Sequence, residues 1–295
     1  MSAIEEISAA VRRVAESIGP SVVSVNGQGG GIVVGPNLVA TNAHNLRGDE
    51  VHVTFADGRS DTGSVAGADV DGDLAVIAVD TAGAPVVAWA EEAAELGQVV
   101  ITVANPRGRG TRAVAGTVTS VARSFRGPRG RRISEGLEHT ASLGRGCSGG
   151  PLLNVDAQVV GMNTRRMEDG FYLATSVTED LRRRIDGLAA GKAPARRRLG
   201  AAIAPPQVAR RLRSASGLPE VDGLLIRGVE EGGPAERSGL LRGDVLLTVG
   251  GQPLSSVDDL YRALDGEGGE LEFTVARALD ELTITVAFPG PTPAG

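Results

Sequence analysis

Ile4, Ile7, Val11, Val14 and Ile18 follow one another at spacings of 3, 4, 3 and 4, the interval at which apolar side chains share one helix face, and Gly19-Pro20 ends the series. This predicts an amphipathic helix over 4–18 that packs on its own domain or on a partner chain. After Pro20 the period changes. Short runs rich in Val, Ile and Ala at 21–26, 31–34, 51–55, 74–79, 99–104, 111–121 and 158–163 are cut by Gly, Asn and Asp, the pattern of an all-β sandwich or pair of barrels. Leu38 to Ala43 reads as one more short strand, running into a polar turn at His44. Thr178-Glu179-Asp180 then opens a helix with Leu181, Ile185 and Leu188 on one face, and the small, polar stretch 189–197 reads as a linker. Beyond it, strands are predicted at 223–226, 244–249, 271–275 and 282–286. A short helix over 234–238 starts on a proline, and a second, over 257–264, is opened by Ser256 with Asp259 three residues on. The pattern thus divides the chain into a first domain at 1–188, a linker at 189–197, a second domain at 198–290 and a tail at 291–295.

Composition sharpens this division. With 295 residues and 41% apolar content, the chain is long enough to bury two cores. Its 42 glycines and 3% aromatic content mean that those cores are built from Val, Ala, Leu and Ile in short strands joined by tight turns. A net charge of −6 argues against a nucleic-acid partner. No apolar run reaches the roughly 18 residues of a membrane span. The opening Met-Ser-Ala-Ile-Glu-Glu lacks the basic and apolar stretches of a secretory leader, and a single cysteine excludes an internal disulfide. Both point to a cytoplasmic location.

The candidate chemistry sits in Gly144-Arg145-Gly146-Cys147-Ser148-Gly149-Gly150-Pro151, a poor helix and a poor strand but a good reactive turn. Glycines allow positive φ and remove the Cβ atoms that would block a substrate carbonyl, so the amides of Gly146 and Ser148 are placed to converge on an oxyanion beside a Ser148 nucleophile. A serine nucleophile needs a histidine base and a carboxylate to orient it, and all three histidines, His44, His52 and His139, precede Ser148. The α/β-hydrolase elbow G-x-S-x-G requires a later histidine, and the subtilisin order requires an aspartate before the histidine, whereas the first aspartate here is Asp49. The order His, Asp, Ser survives. His44 lies where a strand enters a polar turn facing a cleft, while His52 alternates with Val51, Val53 and Phe55 and faces solvent. Asp73 enters the apolar strand Leu74-Ala75-Val76-Ile77, the position that best buries an orienting carboxylate, and is preferred to Asp69 and Asp71. The spacing of those three aspartates resembles a calcium loop, but Leu74 stands where the loop needs glycine, so no metal or other cofactor is expected. Cys147 points away from His44 on the tight turn and reads as a small buried hydrophobe.

Together, Thr41-Asn42-Ala43-His44, Asp73-Leu74-Ala75-Val76, Gly146-Cys147-Ser148-Gly149-Gly150-Pro151 and Val159-Val160-Gly161-Met162-Asn163-Thr164 resemble the HtrA (Deg) family of trypsin-like serine proteases, and the likeness covers most of the chain. Asn105-Pro106-Arg107-Gly108 and Val114-Ala115-Gly116-Thr117-Val118 are similar to segments beside that family's regulatory loops. The resemblance implies a mainly β fold: a chymotrypsin-like double β-barrel protease domain, followed by a smaller α+β PDZ domain suggested by Gly233-Pro234-Ala235 and Leu240-x-x-Gly243-Asp244-Val245-Leu246. It implies His44 as base, Asp73 as orienter and Ser148 as nucleophile. It also places Ser142, Tyr172 and Leu173 at the primary specificity pocket, where an uncharged Ser142 disfavours basic residues. Tyr172 stands where family members usually have glycine, and a phenol directed inward leaves room only for small aliphatic side chains. In the PDZ domain, Leu199, Gly200 and Ala201 would meet the carboxylate of a C-terminal peptide that adds a strand beside 201–203. Two departures, Cys147 for the family's frequent asparagine and Thr140 for its aspartate, bear on tuning near the nucleophile.

The implied function is an ATP-independent serine endopeptidase acting on unfolded or misfolded proteins, regulated through the PDZ domain. The alternative is a catalytically silent PDZ-bearing chaperone or scaffold. Arg123, Arg126, Arg129, Arg131 and Arg132 crowd a Gly- and Pro-containing stretch that reads as a solvated loop, at the position of the family loop that relays PDZ occupancy. The family commonly trimerises through aromatic residues near the N-terminus, but here no Phe, Tyr or Trp precedes Phe55, so a homo-oligomer lacks its usual residues.

Overall fold

A computed structural model describes residues 2–126, 132–142, 144–167, 170–192, 197–265 and 269–288. The first six strands are β1 (Val22–Val25), β2 (Gly29–Gly35), β3 (Leu38–Thr41), β4 (Glu50–Thr54), β5 (Ser60–Asp69) and β6 (Leu74–Ala78). They form a closed antiparallel barrel in the order β1-β2-β3-β6-β5-β4, with β4 returning to β1. Alternation along each strand sends Val23, Val25, Val33, Val39, Val51, Val53 and Ile77 inward, where β-branched side chains fill a narrow interior. His52 falls on the outward face of β4, as expected.

The second barrel uses β8 (Val99–Ala104), β9 (Arg112–Arg126), β10 (Arg132–His139), β11 (Pro151–Leu153), β12 (Gln158–Arg166) and β13 (Tyr172–Ser176), with the two-residue β7 (Ala88–Trp89) added in parallel to β12. Its order is β11-β8-β9-β10-β13-β12, and pairing of β12 with β11 closes the ring. Between the barrels, Val22, Ile32, Ala40 and Val76 of the first pack with Ile101, Val103, Leu153, Val159 and Met162 of the second. Burial on both faces explains why these strands read as continuous apolar runs rather than as alternating ones. Each of these side chains larger than alanine contributes roughly 1.5–3 kcal/mol on leaving water.

Two helices flank the barrels. In α1 (Ala3–Ile18), Ser2 and Glu5 form a reciprocal capping box, and Val14 and Ile18 enter the inter-barrel core. Only the second half of the predicted stripe is used, since Ile4 and Ile7 remain 77% and 43% exposed. In α2 (Glu179–Ala189), the Thr178 hydroxyl accepts from the Leu181 amide at 3.2 Å, and Leu181, Ile185 and Leu188 pack on β5 and β6. Of the arginine-rich stretch, Arg123, Arg126 and Arg132 lie within β9 and β10, Arg123 pairs with Glu138 at 3.3 Å, and 127–131 fall outside the described residues. The hairpin strands therefore run further than the expected solvated loop allowed.

The chain separates into two units, Met1–Pro194 and Ala195–Gly295. The second carries β14 (Ala201–Ala204), β15 (Leu224–Val229), β16 (Val245–Val249), β17 (Gln252–Pro253), β18 (Glu270–Arg277) and β19 (Asp280–Ala287). These are ordered β14-β15-β16-β18-β19, with β17 on β16. Its helices are α3 (Pro206–Ala215), α4 (Pro234–Arg237) and α5 (Val257–Asp265). The Ser256 amide donates to Asp259 Oδ2 at 2.7 Å and the Asp259 amide to Ser256 Oγ at 3.3 Å, the reciprocal cap predicted from the sequence. The sequence pattern does not predict α3: Pro205-Pro206 interrupts the apolar periodicity, yet proline is at home in a first helical turn.

Candidate active site

Each element of the site is delivered by a different part of the double barrel. The strand β3 ends at Thr41, and a short 3-10 turn over Ala43–Asn45 carries His44 to the face between the barrels. Asp73 is the last turn residue before β6 and has φ +52, a left-handed conformation that aspartate tolerates better than most residues. That turn is fastened from three sides. Asn42 Nδ2 donates to the Asp73 carbonyl at 2.9 Å, the Gly72 amide donates to Asp69 Oδ1 at 2.9 Å, and Arg184 of α2 pairs with Asp69 Oδ2 at 2.9 Å. A Cβ on Gly72 would strike this ion pair, so the close approach requires glycine.

His44 and Asp73 then meet. Nδ1 of His44 lies 2.9 Å and 2.8 Å from the two carboxylate oxygens of Asp73, and the His44 amide donates to Oδ1 at 3.1 Å. The Thr164 hydroxyl of β12 donates to Oδ2 at 3.0 Å. With donors on both oxygens and only 4% of its side chain exposed, the carboxylate is held in one orientation. An Nδ1 facing two carboxylate oxygens carries the proton, so Nε2 is left as an acceptor. Ser148 Oγ stands 2.9 Å from that Nε2. The serine hydroxyl also reaches Asn42 Oδ1 at 3.3 Å and the Thr164 carbonyl oxygen.

The loop bearing Ser148 is held mainly through its backbone. The Ser148 carbonyl accepts from the Gly30 amide at 2.7 Å and from Asn45 Nδ2 at 2.9 Å. The Gly149 amide donates to the Asn163 carbonyl at 2.6 Å, and the Asn163 amide to the Gly150 carbonyl at 2.9 Å. Gly149 has φ +90, and a Cβ there would run into the Gly30 carbonyl oxygen and into Thr41 Oγ1. Gly146 also has positive φ, +91, and among the described residues neither its amide nor that of Ser148 donates to a protein acceptor. Beneath the loop, Asn163 Nδ2 donates to the carbonyls of Gly150 and Pro151 at 3.2 and 3.0 Å, while its Oδ1 accepts from His139 Nε2 at 2.9 Å. His139 is fully buried, its Nδ1 has no partner among the described residues, and burial lowers its pKa to about 4 despite the bond to Asn163.

The expected pocket residues divide. Tyr172 is buried, packs with Ala104 and Cys147, and accepts a hydrogen bond from the Gly144 amide at 3.2 Å, so its phenol is directed at the loop bearing Ser148. Cys147 is buried, as expected, and its thiol donates to the Gly144 carbonyl at 3.0 Å. Leu173 follows Tyr172 along β13, is buried as well, and by strand alternation faces the side opposite Tyr172. Ser142, expected at the pocket floor, is exposed; the buried contacts of the loop are made at Gly144 and Cys147 instead. Thr164, Asn42, Asn45 and the Asp69–Arg184 pair belong to the site without having been legible as site residues in the sequence. Only the Asn163-Thr164 end of the β12 motif could have pointed to the first of them.

In the second unit, Gly200 has φ +71 and its carbonyl accepts from the Glu230 amide, while the Leu199 carbonyl accepts from the Ala235 amide, both at 2.8 Å. These bonds pin the loop through its carbonyls. β14 ends its sheet, which leaves one edge unpaired within the sheet. Leu199, Leu260 and Leu264 are buried in the same cluster, with Ala201, Ile203 and Val257 packed on it.

Among the described residues no helix is long and apolar enough to cross a membrane, and no group of three or more His, Cys, Asp or Glu side chains is placed to hold a metal ion. Residues 29–162 match the trypsin-like peptidase domain family, and residues 225–277 match the PDZ domain family. A putative serine protease HhoA of Synechocystis is 33% identical over 278 residues, covering 89% of this chain and 70% of that protein. A probable periplasmic serine endoprotease DegP-like of Halomonas elongata is 31% identical over 267 residues, covering 88% of this chain and 55% of that protein. A periplasmic relative leans against the cytoplasmic expectation, and a lone thiol, having nothing to pair with, is equally compatible with an oxidising compartment. Among solved structures, the HtrA-type protease AlgW with decapeptide matches at TM-score 0.69 and 21% identity over 96% of this chain and 99% of that one. The serine endoprotease from Yersinia pestis matches at TM-score 0.66 and 22% identity over 94% and 96%. The double barrel, the β14–β19 unit and these similarities agree: the chain belongs to the HtrA/Deg family of trypsin-like serine proteases with a PDZ domain.

Proposed function

We propose that the chain is an ATP-independent serine endopeptidase of unfolded or misfolded proteins in which Ser148 is the nucleophile, His44 the general base and Asp73 the group that orients it. The observation that carries this reading is the continuous line from Ser148 Oγ through both nitrogens of His44 to Asp73, at 2.9 and 2.8 Å. His44 Nε2 takes the hydroxyl proton as Oγ attacks the scissile carbonyl, and the amides of Gly146 and Ser148 receive the developing oxyanion. The resulting imidazolium, stabilised by Asp73, passes its proton to the leaving amine. Water then enters by the same route to release the acyl group.

The PDZ unit binds the free C-terminus of a peptide through the Leu199, Gly200 and Ala201 amides while the peptide pairs with the open edge of β14, and occupancy regulates the protease unit. AlgW, solved together with a decapeptide, supports peptide binding in a related fold. A fluorophosphonate probe tests the core of the reading: it is expected to label the wild type and not Ser148→Ala. A wild type left unlabelled would favour the silent scaffold. For the PDZ unit, calorimetry on the full chain is expected to find a peptide acid bound more tightly than its amide, and equal affinities would refute carboxylate capture.

A further inference from the structure

We propose that His139 is a positioning residue for the reaction: acting through the side chain of Asn163, it holds the backbone of residues 149–151, and with it Ser148, in the reactive arrangement. The inference rests on the endopeptidase reading above. His139 takes no part in the line from Ser148 to Asp73. It is fully buried at the end of β10, paired with Val118 of β9 on one side and with Tyr172 of β13 on the other.

Asn163 is bonded to each of the three residues that follow Ser148. Its amide donates to the Gly150 carbonyl at 2.9 Å and its carbonyl accepts from the Gly149 amide at 2.6 Å, while Nδ2 donates to the carbonyls of Gly150 and Pro151 at 3.2 and 3.0 Å. The first two are main-chain bonds open to any residue at this position. The last two need a side-chain amide with its nitrogen toward the loop, because an oxygen there would face two acceptors. Oδ1 therefore points the other way, to His139 Nε2 at 2.9 Å. Since Oδ1 can only accept, Nε2 carries the ring proton, and Nδ1, without a partner among the described residues, keeps its lone pair. Burial lowers the pKa of the ring to about 4, so at pH 7 it brings a donor to Asn163 without placing a charge beneath the loop. Asn163 is only 1% exposed, and water cannot stand in for the histidine. An unmatched Oδ1 would turn toward another donor and carry Nδ2 away from the loop.

The segment held in this way leads directly out of the serine. The peptide between Ser148 and Gly149 is gripped at both ends, its C=O by the Gly30 amide at 2.7 Å and its N–H by the Asn163 carbonyl at 2.6 Å. The Asn163 side chain then fixes the next two carbonyls. A shift of this segment moves Ser148 Oγ from its 2.9 Å approach to His44 Nε2. Because the bonds act on the reacting serine and not on the rest of a substrate, their loss is expected to appear in turnover rather than in substrate binding.

The test measures kcat and KM of the full chain on one peptide substrate, per folded molecule as set by urea unfolding. His139→Leu fills the space but cannot donate, and is expected to lose about 10-fold in kcat with KM unchanged, the factor that matches one neutral hydrogen bond. His139→Gln carries an amide nitrogen as many bonds from the backbone as Nε2 and is expected to recover most of that loss. Asn163→Ala is expected to lose at least as much as His139→Leu, and the double variant no more than Asn163→Ala alone, since a residue that acts through another is not additive with it. A folded His139→Leu with wild-type kcat, a loss that falls on KM, a His139→Gln as impaired as His139→Leu, or additive losses in the double variant each overturns the proposal. Should the variants fail to fold, imidazole 15N spectra of the wild type at pH 7 decide: the proposal requires the His139 proton on Nε2, and a proton on Nδ1 overturns it. A wild type that neither cleaves peptide nor takes up a fluorophosphonate overturns the endopeptidase reading itself, and the positioning role falls with it.

Discussion

The two barrels hold their shares of the active site by different means. In the first, His44 and Asp73 are fastened by side chains: Asn42, Thr164, Asp69 and Arg184 all act on one turn and one carboxylate. In the second, Ser148 rides on a glycine-rich loop whose fixed points are backbone bonds to Gly30, Asn163 and Gly150, with Asn163 and His139 beneath. The difference follows from what each part must do. Under the proposed roles, a base at His44 has to be kept in one tautomer, which calls for fixed polar partners. The Ser148 loop, as the proposed source of oxyanion donors, has to leave amides free, which calls for glycine geometry and few side chains.

The largest effect expected from disturbing the first half is on chemistry. Asp73→Asn keeps the shape but replaces an acceptor of the Nδ1 proton with an amide that can donate, favouring the wrong tautomer, and kcat is expected to fall by about 10⁴-fold. Steady-state cleavage of an Ala-containing peptide measures it, and a loss under about tenfold would contradict the assignment. Asp69→Ala probes the same half from behind. It leaves Arg184 without the partner of a largely buried ion pair and releases the Gly72 amide, so stability is expected to fall by about 3 kcal/mol in urea unfolding.

The second half is the acid-sensitive one. His139 has a folded pKa of about 4 against 6.5 for the ordinary group, so the unfolded chain binds the extra proton first as pH falls. The stability it contributes is therefore complete above pH 6.5 and is lost progressively between 6.5 and about 4, a total of roughly 3 kcal/mol. The added proton would sit on Nδ1, which has no acceptor among the described residues. Urea midpoints taken across this range are expected to fall more steeply for wild type than for His139→Gln, and parallel profiles would refute the assignment. The smallest effect belongs to the residue that joins the halves. Thr164 gives its hydroxyl to Asp73 and its carbonyl to Ser148, so Thr164→Val, which removes only the first, is expected to lower kcat by about 10-fold with KM unchanged.

Legibility in the sequence tracked the range of the forces involved. The faces of α1 and α2, the caps at Thr178 and Ser256, most of the apolar strands and the glycine turn at 144–151 depend on neighbours a few residues apart and were readable, whereas α3 and β11 were not. The expectation of a His44, Asp73 and Ser148 order also came from sequence alone, because with three histidines, all before the serine, few arrangements are chemically possible. β5 and β10 were not readable. Their residues are polar or glycine-rich, as in Ser60-Asp61-Thr62-Gly63 and Ser134-Glu135-Gly136, and they are strands because partners on both sides pair with them.

What the sequence determined on its own was thus the list of reactive groups and the local geometry each can adopt. Tertiary structure decided which groups meet. Asp69 found Arg184 across 115 positions, Thr164 reached Asp73 across 91, and Tyr172 turned its hydroxyl to Gly144 rather than outward. None of these contacts has a local signature, because the free energy that selects them comes from burying whole faces of two barrels against each other, and a single polar side chain then takes the partner that closure places beside it.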